Sequence, residues 1–183
     1  MSEESIVRHC SPTLAGLKTA SMFTYKYKNI DEMRQSIRLF NRLYAPKGLR
    51  ALPLRYRNDR ALIYIYRPAR LSRDLGHTTA CRLLRERGYD TQTPARCLTH
   101  LARRIGESEQ FPHEVGLFLG YPPEDVCGFI EQGSRECKCV GCWKVYGDVE
   151  AAQKTFARYK KCTDIYCQRH ACGRPLERLA VRA

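Results

Sequence analysis

The sequence predicts a single domain of the α+β class, in which a mixed sheet that includes a β-hairpin packs against several helices. Apolar residues recur at helical spacing in several segments. The segment at about 49–67 reads instead as two β-rich runs around a turn dipeptide. Strands interspersed with helices are typical of α+β proteins. Since 183 residues fit one domain, we expect it to span 1–183, with 134–183 as its cysteine-rich C-terminal part.

A helix is predicted directly after Asp31, because apolar side chains recur there every three or four residues and Pro46 ends the pattern. Later segments have the same helical periodicity, at about 69–75, 78–88, 94–106, 123–131 and 149–162. The apolar run at 114–121 is short enough for a buried strand, and the alternation around Trp143 indicates another.

The hairpin at 49–67 is predicted to turn at Asn58-Asp59. A two-residue turn places Arg57 opposite Arg60. The same register places Arg55 opposite Leu62, Pro53 opposite Tyr64 and Ala51 opposite Tyr66. One face of the hairpin is then apolar, and the other carries arginine and tyrosine.

Composition and charge narrow the class of protein. Hydrophobic residues make up 43% of the chain and charged residues 28%, which excludes disordered and collagen-like classes. The first thirty residues have no apolar run typical of a signal peptide, and no stretch is long enough to span a bilayer, so we expect a cytoplasmic protein. In a reducing compartment ten cysteines favour metal binding or redox chemistry over a disulfide framework. The net charge of +13 favours anionic partners without naming one.

Four cysteines have a spacing close to that of metal sites. Cys139 and Cys142 form a C-x2-C pair, and Cys162 and Cys167 follow as a second pair, which gives C-x2-C-x19-C-x4-C. Two such pairs can build a tetrahedral thiolate site, although this spacing lies just outside the usual zinc pattern. We therefore expect these four residues to be metal ligands, and the spacing does not decide between zinc and an iron–sulfur cluster.

The second cysteine pair leaves alternatives open. Five residues along a continuous helix turn by about 140°, so Cys162 and Cys167 can share a metal only if the helix ends near Thr163. Cys167 and His170, three residues apart, share a helical face and form an alternative pair. Two further cysteines are spare ligands, Cys137 and Cys172.

Two adjacent pairs of chemically active residues are candidate cofactor-binding positions, His9 with Cys10 and His113 with Glu114. His113 and Glu114 introduce the apolar run, whose glycines can mark the close approach of a ligand. The chain has no dinucleotide-binding fingerprint, no phosphate-binding P-loop and no G-x-S-x-G elbow, which disfavours those routes of nucleotide binding and hydrolysis.

Two other functions compete with metal binding. Cys139 and Cys142 could cycle between dithiol and disulfide, with Lys138 and Lys144 favouring the thiolate, as in a thiol–disulfide oxidoreductase. The arginine and tyrosine face of the hairpin could bind nucleic acid, because arginines contact phosphates and tyrosines stack on bases.

Several long segments resemble one uncharacterised bacterial family, domain of unknown function 3793. The resemblance covers almost the whole chain. The segments that carry it are HCSPTLAGLKTASMF at 9–23, PKGLR at 46–50, ALIYIYRP at 61–68, FPHEVGLFLGYPPEDVCGFIE at 111–131, and KCVGCWKVYGD with TFARYKKCT within 138–163.

The resemblance implies a cytosolic protein of anaerobic bacteria with a role in iron or redox metabolism and a redox partner such as a flavodoxin, although the family has no established activity. The matching positions include His9, Cys10, His113, Glu114, Cys139, Cys142 and Cys162. Cys167 lies outside them, so the resemblance leaves the fourth ligand open, and His9 or Cys10 is the alternative.

Overall fold

The computed structural model describes residues 1–107 and 110–182. It confirms the α+β class, with α-helices and short antiparallel strands. The chain divides into two compact units. Unit 1 comprises Met1–Arg70 with Tyr159–Ala183, and unit 2 comprises Leu71–Arg158. Within the described residues, no helix has both the length and the apolar character needed to cross a bilayer.

A three-stranded sheet forms the centre of unit 1. Its strands are β1 (Ala20–Lys26), β2 (Arg50–Arg57) and β3 (Arg60–Tyr66), in the order β1-β3-β2. Both strand pairings are antiparallel, as is the pairing of the two short strands of unit 2. The expectation of a mixed sheet is therefore wrong for the described strands. The short hairpin connection between β2 and β3 explains the antiparallel pairing.

The predicted turn of the β2–β3 hairpin is confirmed. Asn58 and Asp59 both adopt left-handed backbone angles, with φ of 48° and 55°. Positive φ at both central residues is the signature of a type I′ turn, whose twist matches that of the flanking strands. Arg57 consequently lies opposite Arg60, as the two-residue turn requires.

Further from the turn the predicted register fails. The pairing shifts by one residue between Pro53 and Arg55, so that Pro53 lies opposite Ile63 and Ala51 opposite Ile65, where Tyr64 and Tyr66 were expected. A β-bulge inserts one extra residue and exchanges the faces of the strand beyond it. Ala51 accordingly belongs to the apolar core.

Helices cover the apolar face of this sheet. They are α1 (Glu3–Leu14), α2 (Ile30–Tyr44) and the short α9 (Leu176–Leu179), all of which contribute to one buried apolar cluster. The α2 helix confirms the helix predicted after Asp31, and Asn29 caps it by accepting backbone N–H bonds from Asp31 and Glu32. The α1 helix was not predicted, since Pro12 lies within it and its buried positions include the polar residues Ser11 and Thr13.

A buried arginine ties unit 1 together. Arg67 is about 1% exposed and donates to the carbonyl oxygens of Thr13 at 2.7 Å and Leu14 at 2.7 Å, at the end of α1. It also donates to the carbonyl oxygens of Lys47 at 3.1 Å and Val181 at 2.9 Å. The C-terminal end of a helix favours a positive charge, and the carbonyl groups satisfy the guanidinium donors.

Unit 2 is mainly helical. Its elements are α3 (Pro68–Leu75), α4 (Thr78–Glu86), α5 (Pro94–Glu107), α6 (Val115–Phe118), α7 (Pro123–Gln132), β4 (Cys139–Val140), β5 (Lys144–Val145) and α8 (Val149–Ala171). Helix α3 begins in the last residues of unit 1 and ends in unit 2, and helix α8 begins in unit 2 and ends in unit 1. The predicted helices are confirmed, although α8 continues past the predicted end at 162 to Ala171. Of the strand predicted around Trp143, the part at Lys144–Val145 is confirmed.

The strand predicted at 114–121 is wrong, because this run folds as the short helix α6 followed by a turn at Gly120. Gly120 has a φ of 76°, which residues other than glycine adopt with strain. A short apolar run has no periodicity that separates a strand from one turn of buried helix, and the buried Gly116 and Leu117 fit either.

A candidate ligand cavity in unit 2

A cavity of about 240 Å³ lies beside α6, α7 and β5. Aromatic side chains form much of its wall, namely Phe111, Tyr121, Phe129 and Trp143. The polar side chains among the lining residues are His113, Asp125 and Lys144. Apolar walls with a few converging polar groups are the usual character of small-molecule sites.

The chain's one tryptophan is held firmly in this wall. The Trp143 ring stacks on Tyr121 with 4.9 Å between ring centroids and meets Phe156 edge to face at 4.5 Å. Its indole Nε1 donates to Oδ2 of Asp125 at 2.7 Å. Two ring contacts and a hydrogen bond together fix the orientation of the indole.

Asp125 is the buried acceptor that joins α7 to the hairpin. It is about 3% exposed, and its Oδ1 accepts the backbone N–H groups of Tyr146 at 2.7 Å and Gly147 at 2.8 Å. With the Trp143 bond, three donors stabilise the carboxylate. Asp125 also lies in the first turn of α7, where the helix dipole favours a negative charge. The role of this carboxylate is thus to position the hairpin and the indole.

Two basic side chains meet at Phe129 in the cavity wall. The His113 ring lies edge to face with Phe129 at 4.8 Å, and Nζ of Lys144 lies 5.4 Å from the centre of the same ring. His113 is exposed and Lys144 is half-buried, so both are reachable from solvent. They can donate hydrogen bonds to a bound molecule, and Lys144 adds a positive charge.

Glu114, the neighbour of His113, has a structural role. It is about 1% exposed, accepts the Tyr89 hydroxyl at 2.8 Å and forms an ion pair with Arg104 at 2.9 Å. Burial, and then the Glu114 charge, raise the pKa of Tyr89 above its usual range. Of this predicted cofactor-binding pair, His113 lines the cavity and Glu114 supports the structure behind it.

Two glycines allow the elements around the cavity to pack closely. A Cβ atom added at Gly116 would lie 2.8 Å from Cγ2 of Val126, and one added at Gly128 would lie 2.6 Å from Cβ of Tyr146. Both distances are shorter than normal carbon contacts, so these glycines are packing requirements. The motif at 111–131 therefore encodes the α6–α7 contact as well as the cavity wall.

The cysteines predicted as metal ligands fall in different elements. Cys139 begins β4 and Cys142 lies in the turn before β5, whereas Cys162 and Cys167 lie on α8. Across residues 1–107 and 110–182, no three or more His, Cys, Asp or Glu side chains are grouped so as to hold a metal ion. The residues described thus do not fit a zinc or iron–sulfur centre as they stand, and the metal assignment stays a prediction.

Cys162 and Cys167 could share a metal only if the helix ended near Thr163, and it does not end there. Helix α8 continues without a break from Val149 to Ala171, so Cys162 and Cys167 point about 140° apart around the helix axis. Burial raises the pKa of Cys162 to about 11, which keeps its thiol protonated at neutral pH. The alternative partner His170 has its Nδ1 3.1 Å from the carbonyl oxygen of Arg174.

The pair at the N-terminus lies in unit 1. Cys10 is fully buried in the apolar core, and burial raises the pKa of its thiol to about 12. The His9 ring stacks on Phe23 with 5.1 Å between centroids, and burial is the main cause that lowers the pKa of His9. Both residues have packing roles, and their predicted part in cofactor binding stays a prediction.

The arginine and tyrosine face of the hairpin differs from the expected one. Tyr64 has no exposed surface, and it stacks on the half-buried Tyr66 with 5.0 Å between ring centroids. A base cannot stack on a ring that is already covered. The proposed stacking surface is therefore absent at Tyr64.

Sequence reasoning missed the cavity and the buried Asp125. The available signals were the acidic residue in the first turn after Pro122-Pro123 and the single tryptophan within a glycine-rich hairpin. Neither signal reveals that Asp125 accepts a hydrogen bond from Trp143, because the two residues are 18 positions apart in the chain.

The fold and the site together define an α+β protein with an aromatic-walled cavity in its helical unit. Residues 6–180 match the sequence profile of a family described as "Protein of unknown function (DUF3793)", and the chain belongs to that family. No curated protein and no solved structure is similar enough to the chain to count as a match.

Proposed function

We propose that this protein binds a small, flat, mostly apolar molecule that carries a negative charge in the cavity of unit 2. The observation that supports the proposal is the cavity wall, in which Trp143 and Phe129 present aromatic surface beside the basic side chains His113 and Lys144. Aromatic walls favour flat ligands through offset stacking and edge contacts.

The size of the cavity limits the ligand. A dry cavity of about 150 Å³ accommodates benzene. A volume of about 240 Å³ accordingly suits a ligand of about two fused rings. At about 0.3–0.4 kcal/mol per non-hydrogen atom, a ligand of thirteen such atoms binds with a Kd of about 0.1–1 mM.

The charges in the wall favour an anion over a cation. The Asp125 carboxylate is buried, and three hydrogen-bond donors already occupy its oxygens. The ammonium group of Lys144 is half-buried and faces an aromatic ring, so a carboxylate or phosphate on the ligand could pair with it. A cationic ligand would instead meet like charge at Lys144.

Calorimetric titration with three probes of one shape tests the proposal. The probes are naphthalene-2-carboxylate, the neutral naphthalene-2-carboxamide and the cationic 2-naphthylmethylammonium. We expect the carboxylate to bind at least fivefold more tightly than the carboxamide, because one charge-assisted hydrogen bond contributes about 1–2 kcal/mol. Equal affinities for the three probes would contradict the charge preference, and no binding of any probe at several millimolar would contradict the site.

A matched pair of variants locates the binding. Lys144→Gln removes the charge beside Phe129, whereas Lys138→Gln removes an exposed lysine of the same hairpin, which donates to the carbonyl oxygen of Gly147. We expect Lys144→Gln to reduce the affinity for the carboxylate to that for the carboxamide. We expect Lys138→Gln to leave the affinity for the carboxylate unchanged. If both variants weaken binding equally, the effect is one of general charge and the proposed contact is wrong.

A dithiol role for Cys139 and Cys142 is the second candidate. Cys142 is exposed and Cys139 is partly exposed, and they lie three residues apart at the turn of the β4–β5 hairpin. Oxidation to a disulfide would release two protons and two electrons to an oxidant such as glutathione disulfide. Mass spectrometry in glutathione buffers would detect the loss of about 2 Da across this pair. A pair that remains reduced at about −180 mV would contradict the role.

A further inference from the structure

The net positive charge of the protein comes entirely from unit 1. Unit 1 contains twenty basic and seven acidic residues, a net charge of +13, whereas unit 2 contains twelve of each and is neutral. Such an uneven division is an electrostatic signal for a polyanion, because the excess of basic over acidic residues is concentrated in one unit.

Part of this charge borders the open edge of the sheet. Strand β2 is at one edge of the order β1-β3-β2, and helix α2 is fastened to it through Asn41. The Asn41 side chain accepts the backbone N–H of Ala51 at 2.7 Å and donates to the Ala51 carbonyl oxygen at 2.9 Å. Residues of α2 that flank Asn41 therefore lie beside the edge strand.

Helix α2 presents a line of arginines to solvent. Arg34, Arg38 and Arg42 are all exposed and are spaced four residues apart, so they lie on one side of the helix. The side that carries them is next to the position of Asn41 on the helix. Arg34 lies close enough to Tyr56 of β2 for its charge to oppose the burial that raises the pKa of Tyr56.

The edge strand and its neighbour add further arginines. Arg50 and Arg57 are exposed at the two ends of β2, which are about 23 Å apart at 3.3 Å per residue. Arg60 of β3 is exposed directly opposite Arg57. The two guanidinium groups add positive charge at the turn end of the hairpin.

The chain segment that carries these arginines has few acidic residues of its own. The segment 26–60 contains ten basic and three acidic residues. Two of the acids form exposed ion pairs, Asp31 with Arg34 at 3.3 Å and Asp59 with Lys26 at 3.3 Å. Exposed pairs of this kind are weak, so a phosphate can compete for these basic groups.

We propose that this α2–β2 arginine surface, formed by Arg34, Arg38, Arg42, Arg50, Arg57 and Arg60, binds the phosphate backbone of nucleic acid. Binding depends on charge and not on base sequence, because contacts to the phosphate backbone carry no sequence information. A bilayer surface is the competing partner, because α2 also exposes Leu39 and Leu43. The larger apolar face of α2, with Met33, Ile37 and Phe40, is buried in the core and cannot insert, which favours nucleic acid.

Fluorescence anisotropy with the full chain tests the inference. The probes are labelled 20-base-pair DNA and RNA duplexes and the corresponding single strands, at 50–200 mM salt. We expect a linear decrease of log K with log salt, with similar affinities for unrelated sequences. Replacing three arginines together, Arg34→Gln, Arg38→Gln and Arg42→Gln, should reduce the magnitude of the duplex slope by about 2–3, at about 0.9 per phosphate contact, and weaken binding at least tenfold.

A matched triple variant separates the surface from net charge. Lys160→Gln, Lys161→Gln and Arg169→Gln remove the same charge from exposed positions of α8 in unit 1. We expect this control to weaken binding less than threefold. The inference is overturned if the two triple variants weaken binding equally, if the wild type shows no salt-sensitive binding at 50 mM, or if phosphatidylserine vesicles bind and the nucleic acids do not.

Discussion

At the scale of single residues, buried polar groups determine which positions support the fold and which remain available for binding. Glu114 and Asp125 are both buried, and each accepts hydrogen bonds from side chains or backbone groups distant in the chain. His113 and Lys144, in contrast, keep solvent access in the cavity wall. The carboxylates of Glu114 and Asp125 thus have their hydrogen-bond partners within the protein, whereas His113 and Lys144 are accessible to a ligand.

Replacing Glu114 with Gln should destabilise the protein. The change removes the charge that pairs with Arg104 at 2.9 Å and weakens the acceptor of the Tyr89 hydroxyl. Since Arg104 is about one-third exposed, we expect a loss of about 1–3 kcal/mol, below the value for a fully buried pair. Urea unfolding provides the measurement, with the exposed Glu107→Gln as the control that should change stability by less than about 0.5 kcal/mol.

Cys10 should make stability depend on pH at the alkaline end. Its pKa is raised by burial from 9.0 to about 12, so the folded state keeps the proton that the unfolded state loses above pH 9. This contribution is complete below pH 9 and is lost as pH rises toward 12. The free energy of unfolding of wild type minus that of Cys10→Ala should therefore decrease by up to about 1.4 kcal/mol per pH unit in this window. A difference that stays constant from pH 8 to 11 would show that Cys10 is not buried.

At the scale of elements, periodicity predicts the long amphipathic helices but misses local exceptions. Helix α2 follows its apolar spacing, so its C-terminal end at Tyr44 is predicted correctly and its start at Ile30 lies two residues before the predicted one. The bulge after Pro53 has no sequence signal of its own, yet it exchanges the faces of the strand beyond it. The run at 114–121 becomes the short helix α6 because contacts with α7, such as that of Gly116 with Val126, decide its conformation.

The candidate site was predicted only in part. His113 was recognised beside a glycine-punctuated apolar run and does line the cavity. The partners that build the wall, Asp125 and Trp143, meet through tertiary contacts that spacing does not reveal. The cysteine pattern predicted a shared centre from spacing alone, and spacing does not specify where α8 ends.

Two glycines at helical positions should respond in opposite ways to alanine. Gly106 on α5 has nothing within 4 Å of an added Cβ, so Gly106→Ala should stabilise the protein by about 0.5–1 kcal/mol through helix propensity. Gly128 on α7 faces the root of the Tyr146 side chain, which cannot rotate away, so Gly128→Ala should cost about 1–3 kcal/mol. Thermal unfolding measures both. If Gly128→Ala also stabilises, the close packing of α7 against the hairpin is wrong.

At the scale of the whole molecule, the two units differ in chemistry. Unit 1 carries the net positive charge around an antiparallel sheet, and unit 2 is neutral and contains the aromatic cavity. The proposals for the two units are therefore independent. Loss of ligand binding in Lys144→Gln should leave the phosphate affinity of unit 1 intact, and loss of phosphate affinity in the α2 triple variant should leave ligand binding intact.

The most direct test of the cavity uses the single tryptophan. Since Trp143 is the chain's one tryptophan, a ¹⁵N–¹H spectrum contains one indole N–H signal, that of the Nε1–H donated to Asp125 in the cavity wall. Titration with naphthalene-2-carboxylate should shift this signal along a saturable curve with the Kd found by calorimetry, and Lys144→Gln should weaken that curve. An indole signal that does not move at saturating ligand would contradict binding in this cavity.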